Sequence, residues 1–189
     1  MFIEDGKGHG NNVEVNNTNQ MAVVAEIHEL QHHESVNNGR VYQAWGEVDA
    51  ANGTVNVLYL ENEDTDKEIC ISYMRIEAID VAGLPQAGSY FQLGFDNTYT
   101  SGGDPVTPVN MNRGSANVAN VSCYKNNPTL GGDFVEFDRW YPDGEGKMMI
   151  YNKHGSIIIP KNKSITIRFI HDAAVGKAYA RITFFYIEN

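Results

Sequence analysis

The chain has 189 residues, of which 42% are hydrophobic and 20% charged, and its 24 acidic residues against 14 Lys and Arg give a formal net charge of −10. A chain of this length can bury roughly 70% of its unfolded surface, so it needs neither disulfides nor metals to form a stable domain. Proteins that bind nucleic acid or anionic membranes carry clustered Lys and Arg, so we expect neither partner here. The 18 glycines and many asparagines are typical of a protein with many tight turns, which favours strands over helices.

The first residues carry no signal for export. Residues 1–5 contain two acidic residues and no apolar segment follows them directly, so we expect no ordinary signal peptide. No apolar run approaches the roughly 18 residues that a membrane span requires. We therefore predict that the protein is made in the host cytoplasm and is not exported by the Sec pathway.

Residues 1–20 form a polar segment rich in Gly and Asn, which cannot offset its ordering entropy by burying apolar surface of its own. Such a segment orders only against a partner. A short apolar strand at residues 21–25 follows it, and we expect this strand to pair with a neighbour. We predict an extended N-terminal arm and connector at residues 1–40 and a β-sandwich domain at residues 41–189. The apolar residues available as anchors on the arm are Ile3, Val13, Val15, Met21 and Val23.

Regular strand patterns begin at residue 41. Residues 41–48 and 54–60 flank an Asn52-Gly53 turn, and this arrangement predicts a β-hairpin. Residues 96–117 form the longest irregular stretch, which we interpret as a functional loop. Strands at spacings of roughly 8 to 12 residues favour an all-β fold, a jelly-roll-like antiparallel β-sandwich preceded by the arm. The further predicted strands cover residues 68–81, 89–95, 117–124, 164–169 and 179–187.

The two cysteines, Cys70 and Cys123, lie in apolar contexts typical of strands. We interpret them as buried free thiols rather than a disulfide, because a small hydrophobe is the usual role of a cysteine inside a strand. Neither indicates a redox centre or a metal site.

The sharpest motif is His28-Glu29-Leu30-Gln31-His32. On a helix, histidines four residues apart share a face and bind zinc, while the intervening Glu acts as general base. The motif requires a helical scaffold and a third ligand, and Ser35 and Asn38 stand where the extended metzincin motif needs Gly and His. We therefore favour a solvated connector, with adventitious metal binding by His28, His32 and His33 as one alternative and a zinc protease as another. We predict no catalytic residues, no cofactor and no metal site.

Two further segments have a possible binding role. The acidic turn at residues 61–66 offers carboxylates to calcium but lacks the EF-hand spacing, so we favour a solvated loop. Trp140 and Tyr141 lie beside carboxylates in a turn, a combination found both in sugar-binding platforms and in packed corners or interfaces. We favour the interface, and predict intersubunit contacts at Trp140, Tyr141, Phe185 and Tyr186.

Several short segments resemble those of a group of tailed-phage virion structural proteins. They are residues 3–8 (IEDGKG), 19–23 (NQMAV), 33–34 (HE) with Gly39, 108–115 (PVNMNRGS) and 157–164 (IIIPKNKS). The resemblance is best over the first 40 residues. It implies a head decoration, or cement, protein that is not an enzyme, forms a homotrimer and stabilises the capsid from its outer surface. The implied partner is the major capsid protein, contacted partly through the arm.

The alternative function is a tail-tip or fibre module that binds host surface glycans. In that case the loop at residues 96–117 and the turn at Trp140 would form the platform. Loss of glycan binding on Trp140→Ala would favour this alternative.

Overall fold

The structure is a computed structural model that describes residues 3–4, 12–15, 21–22, 34–79, 89–142, 147–152, 157–171 and 176–188. Within these residues the chain is almost entirely β, with one π-helical turn at Glu34–Asn38. The strands are β1 (Ile3–Glu4), β2 (Asn12–Val15), β3 (Met21–Ala22), β4 (Val41–Asp49), β5 (Gly53–Asn62), β6 (Lys67–Ile79), β7 (Tyr90–Phe95), β8 (Thr98–Ser101), β9 (Asp104–Pro105), β10 (Val109–Asn110), β11 (Val121–Lys125), β12 (Thr129–Gly131), β13 (Val135–Trp140), β14 (Met148–Tyr151), β15 (Ile157–Ile159), β16 (Ser164–His171) and β17 (Lys177–Glu188).

Two antiparallel sheets form the sandwich. In the first sheet the order is β10-β4-β17-β6-β14, and β15 follows β14 along the same edge of β6. The second sheet has the order β13-β7-β16-β5-β11-β9. Eight of these strands make the central orders β4-β17-β6-β14 and β5-β16-β7-β13, which is the arrangement of a jelly roll. The predicted jelly-roll-like antiparallel β-sandwich is confirmed.

The hairpin predicted around Asn52-Gly53 is wrong. Strand β4 pairs with β10 and β17, whereas β5 pairs with β11 and β16, so the chain crosses from one sheet to the other between them. Gly53 takes a φ of 106° in this crossing, a value that favours glycine. Alternating strands and a turn residue predict a reversal of the chain but do not specify the sheet of the second strand. Because both strands have an apolar face, they bury more surface by facing each other across the core.

The core lies between the two sheets. Rings that are far apart in the sequence meet there: the centroids of Phe91 and Phe169 are 4.6 Å apart, and those of Tyr42 and Phe184 are 5.6 Å apart. Each fully buried side chain of this size contributes roughly 1.5–3 kcal/mol of transfer free energy. The largest side chains that are less than 2% exposed are Tyr42, Tyr59, Phe91, Phe169, Phe184, Leu58, Leu60, Ile69, Ile71, Met74, Ile76 and Leu93.

The segment between β7 and β13 adds strands to both sheets. Strands β9 and β11 extend the second sheet, β10 extends the first through β4, and β8 pairs with β12 in a separate two-stranded ribbon. Most of residues 96–117, interpreted from the sequence as a functional loop, therefore lies in or beside these strands.

Asparagine side chains fix this segment to the connector that precedes β4. Asn112 Nδ2 donates to Ser35 O, Asn117 Nδ2 to Asn38 O and Asn110 Nδ2 to Gly39 O, each at 2.8 Å. These bonds satisfy backbone carbonyls that belong to no sheet, so the Asn-rich composition has a structural role here.

The described residues of the arm form a small sheet of their own in the order β1-β2-β3. Ile3 lies opposite Val13, and Val15 lies opposite Met21. Within the described ranges, none of these three strands pairs with a strand of the sandwich, which differs from the single strand expected after a polar leader. Val23 lies outside the described residues, and the role of the five arm anchors stays a prediction.

Candidate binding surfaces

The four residues predicted to contact a neighbouring subunit lie in different environments. Phe185 and Tyr186 are each only 3% exposed, and the Tyr186 hydroxyl accepts a hydrogen bond from the backbone N–H of Asn120 at 2.9 Å. A side chain buried within one chain adds no area to a contact between chains. This burial corrects the expectation for Phe185 and Tyr186. Sequence alone did not distinguish them from surface aromatics because the run at the end of β17 is apolar on both faces.

Trp140 and Tyr141 lie at the end of β13. The Trp140 ring stacks on Phe91 at 5.6 Å between centroids and packs against the core, as a packed corner requires. Tyr141 is 58% exposed, and its ring lies 5.3 Å from that of Tyr90. Of the four, Tyr141 therefore has the most surface available to a partner.

Arg139, beside this corner, is held by Glu136. The Arg139 guanidinium donates to both Glu136 carboxylate oxygens, at 2.7 and 2.8 Å, and this pairing holds the pKa of Glu136 below its usual range. Arg139 also lies 4.6 Å from the Tyr90 ring. Its donors are largely engaged, so the Tyr141 corner offers little unsatisfied polar capacity to a ligand.

The metal-binding alternatives gain no support from the part of the chain that the structure describes. His28, Glu29, His32 and His33 lie outside the described residues. In the acidic turn, Asp64 Oδ1 accepts hydrogen bonds from the backbone N–H groups of Asp66 and Lys67, so this carboxylate shapes the turn. Among the described residues, no group of three or more His, Cys, Asp or Glu side chains could hold a metal ion.

The prediction of buried thiols rather than a disulfide is confirmed: Cys70 and Cys123 are both buried and not bonded to each other. Burial raises the pKa of the Cys123 thiol to about 12 and also raises that of Cys70. A thiol whose pKa is raised carries little thiolate at neutral pH and is a poor nucleophile.

The β8–β12 ribbon covers the part of the outer side of the second sheet around Tyr59, whose ring lies 6.4 Å from that of Tyr99 on β8. Tyr59 on β5 is fully buried there, and its hydroxyl donates to Glu61 Oε2 at 2.5 Å. Burial first, and the Glu61 carboxylate second, raise the pKa of Tyr59. Asn97 links the ribbon to the sheet, since its side chain accepts from Arg168 Nη2 at 3.0 Å. The part of this side around Tyr59 is therefore filled by the chain itself.

The outer side of the first sheet, in contrast, has a groove that we name the Trp45 groove. It has a volume of about 210 Å³ and runs across β4, β17 and β6. Trp45, 45% exposed, forms part of its wall, and Lys125 Nζ lies 4.1 Å from the centroid of the indole. Arg75 and Glu77 form an ion pair of 2.7 Å on the opposite side. The lining residues are Trp45, Gly46, Arg75, Glu77, Tyr179, Ala180 and Arg181.

An apolar stripe, named here the β14–β15 stripe, borders this groove at the edge of the first sheet. It consists of Met148, Ile150 and Ile158, which are 46%, 56% and 36% exposed. Ile150 lies opposite Arg75 on β6, and Ile158 lies opposite Cys70. Three exposed apolar side chains along one edge are a typical feature of a surface that contacts another protein.

Sequence reasoning missed both features, and only the groove has a sequence signal. In β4, Trp45 lies on the same face of the strand as Gln43 and Glu47, whereas Tyr42 and Ala44 lie on the other face. An aromatic residue on the polar face of a strand indicates either a covered face or a binding surface. The β14–β15 stripe has no such signal, because the run from Met148 to Tyr151 is apolar at every position.

A comparison of the chain with protein-family models gave no match, and a search of curated proteins gave no significant match. No helix within the described ranges is long and apolar enough to cross a membrane. The candidate surfaces are therefore assigned a function from their own geometry and chemistry.

Proposed function

We propose that this protein is a structural component of a virus particle, a head decoration protein that binds the outer surface of the capsid and stabilises it. The observation that carries the proposal is the exposed β14–β15 stripe, Met148, Ile150 and Ile158, on a jelly-roll domain. The resemblance of the N-terminal segments to tailed-phage virion proteins supplies the biological context. The jelly roll also serves many other functions, so it supports the proposal without being specific to it.

The stripe suits a contact between copies of this chain. Exposed apolar side chains gain roughly 25 cal/mol for each Å² removed from water, and a stable interface buries roughly 1,200–2,000 Å² in total. Three side chains supply only the centre of such an interface, and the surrounding polar residues supply the rim. In a closed homotrimer the same stripe would be buried three times.

The arm provides the proposed attachment to the capsid. Its described strands pair with one another and with no described strand of the sandwich, so the arm is available to bind a separate partner. Strand addition to edges of the major capsid protein would give affinity through backbone hydrogen bonds. Three arms on one trimer would add avidity, because the second and third arms bind at a high effective concentration.

The test of assembly is the mass of the purified protein by light scattering. We expect a trimer for the natural chain and a monomer for Ile150→Lys, because a buried lysine in an apolar interface is strongly unfavourable. Val135→Lys is the matched control, since Val135 is 50% exposed on β13, the edge strand of the other sheet. A natural chain that is monomeric at all concentrations, or a trimer unaffected by Ile150→Lys, would refute the role of the stripe.

The test of function is co-sedimentation with assembled particles of the source virus. We expect the natural chain to saturate the particles and a variant without residues 1–20 to lose this binding while its β-sandwich stays folded. Circular dichroism and the thermal midpoint measure the fold of the variant. Unchanged binding by the truncated chain would refute the arm, and absence of binding by the natural chain would refute the proposed function.

A further inference from the structure

We propose that the Trp45 groove binds an acidic sugar, a single pyranose ring that carries a carboxylate. The ring would pack on the indole of Trp45, and the carboxylate would pair with the guanidinium of Arg181. Both residues line the groove and lie directly opposite each other on β4 and β17.

The register of the sheet explains the shape of the groove. Side chains stand in rows across the adjacent strands, and the backbone at Gly46 and Ala180 forms part of the lining between two rows. The volume of about 210 Å³ is below the roughly 300–1,000 Å³ of sites for drug-sized ligands, which suits one sugar ring. The two rows, read across β4, β17, β6 and β14, are Trp45, Arg181, Arg75 and Ile150, and then Glu47, Tyr179, Glu77 and Met148.

Trp45 supplies the apolar surface of the site. An indole has two faces, and the ammonium group of Lys125 lies over one of them at 4.1 Å. That contact fixes the ring and leaves 45% of the residue exposed. An exposed, fixed aromatic ring provides contact area at little entropic cost, and the C–H face of a pyranose is the complementary apolar surface.

Arg181 supplies the charge. The neighbouring Arg75 is already paired with Glu77 at 2.7 Å. Among the described residues, no carboxylate lies within ion-pair distance of the exposed Arg181. A free guanidinium presents planar paired donors that match a carboxylate.

The surroundings of the groove favour an anion in a chain that otherwise repels anions. The full chain has a formal net charge of −10. Around the groove lie three cations, Arg75, Arg181 and Lys125, and two carboxylates, Glu47 and Glu77, which gives a local charge of +1. Local positive charge in a concave site concentrates anionic ligands. A hydroxyl group of the sugar could donate to the Glu77 carboxylate, and the Tyr179 hydroxyl could donate to the sugar.

The site adjoins the proposed subunit contact, because Ile150 and Met148 lie opposite Arg75 and Glu77, which line the groove. Trp45 on β4 is three strand positions from Ile150 on β14, a distance of roughly 14 Å at the usual spacing between strands. The substitutions that test sugar binding leave the stripe residues unchanged, so sugar binding can fail without failure of the subunit contact.

Fluorescence titration of the full-length Trp140→Phe variant tests the proposal, because Trp45 is then the sole tryptophan of the two in the chain. Glucuronate is the acidic sugar, glucose the neutral ring and acetate the carboxylate without a ring. We expect saturable quenching by glucuronate with a millimolar Kd, and at least about tenfold weaker binding of glucose and of acetate. No saturation by glucuronate up to about 50 mM would overturn the proposal. Equal affinity for glucose would overturn the role of the charge, and equal affinity for acetate that of the ring.

Arg181→Gln in the same background tests the assigned donor. We expect its affinity for glucuronate to fall at least about tenfold while the weak affinity for glucose is unchanged. Arg139→Gln is the matched control, since Arg139 is also exposed on a strand but is paired with Glu136 on the other sheet. Glucuronate affinity that is unchanged in Arg181→Gln, or reduced equally in Arg139→Gln, would overturn the assignment.

Discussion

Replacing Asn97 with Ala tests how the β8–β12 ribbon is held on the second sheet. Asn97 is 3% exposed, and its side-chain oxygen accepts from Arg168 Nη2 at 3.0 Å. Its Nδ2 group donates to Gly131 O at 3.3 Å and to Asp133 O at 3.4 Å. The alanine variant keeps the backbone carbonyl that accepts from Ser164 Oγ, so it removes only the three side-chain bonds.

The expected loss follows from the partners left behind. A hydrogen bond to a charged group contributes about 1.5–3 kcal/mol, and burial already lowers the pKa of Arg168, which shows that its charge is poorly hydrated. The two longer bonds to carbonyls add less than a typical bond each, because both exceed the usual distance. We therefore expect the free energy of unfolding to fall by about 2–4 kcal/mol.

Urea unfolding followed by circular dichroism measures this loss. With a slope of about 2 kcal/mol per molar urea, the midpoint should fall by about 1–2 M. Asn120→Ala is the control, because its side chain is exposed and makes one bond, to Glu63 O at 3.2 Å, and its effect should stay within about 0.5 kcal/mol. A loss below about 0.5 kcal/mol for Asn97→Ala, or no coupling to Arg168→Met in a double-mutant cycle, would refute the reasoning.

Three further predictions concern the packing of the sandwich. Gly94→Ala should destabilise by about 1–3 kcal/mol in urea, because the new Cβ would overlap the Phe134 ring; an unchanged midpoint would contradict this contact. Ellman's reagent at pH 8 should label neither Cys70 nor Cys123 until denaturant is added, and rapid native labelling would contradict their burial. Because the pKa of Cys123 is raised to about 12, only the unfolded chain loses the thiol proton just above about pH 8.5. The free energy of unfolding should therefore fall between about pH 8.5 and 12. Cys123→Ala should weaken this fall.

The fold class could be predicted from the sequence because alternating strands and turn residues are local signals. The alternation at residues 164–169 predicts strand β16, which the structure contains, and the turn at Asn52-Gly53 was located correctly. The pairing of β4 and β5 could not be predicted, because period-two alternation is the same for a hairpin and for two strands that face each other across a core. The sheet of β4 is decided by its pairing with β17, which lies more than 120 residues later in the chain.

The candidate surfaces were harder to predict, because the exposure of a side chain depends on what the rest of the chain places over it. Phe185 and Ile150 are both large apolar residues in strands of the first sheet, yet one is 3% and the other 56% exposed. Phe185 packs with Val41 and Cys70 in a small buried cluster, while Ile150 lies on the edge strand β14. Composition and alternation carry no information on such contacts between strands that are distant in the sequence. These contacts therefore limit what sequence alone can say about binding.

The asymmetry between the two outer faces links the fold to the proposed roles. Part of the second sheet is covered by the ribbon of β8 and β12, and polar groups there, such as Asn97 and Arg168, bond to each other. The first sheet has an open groove at Trp45 and an exposed stripe ending at Ile158. The segment between β7 and β13 covers part of the second sheet, whereas the first sheet leaves apolar and charged groups exposed. The first sheet is therefore the face better suited to binding partners. If this reasoning is correct, substitutions that abolish assembly or sugar binding without lowering stability should fall on the first sheet, and those that lower stability through polar groups should fall on the second.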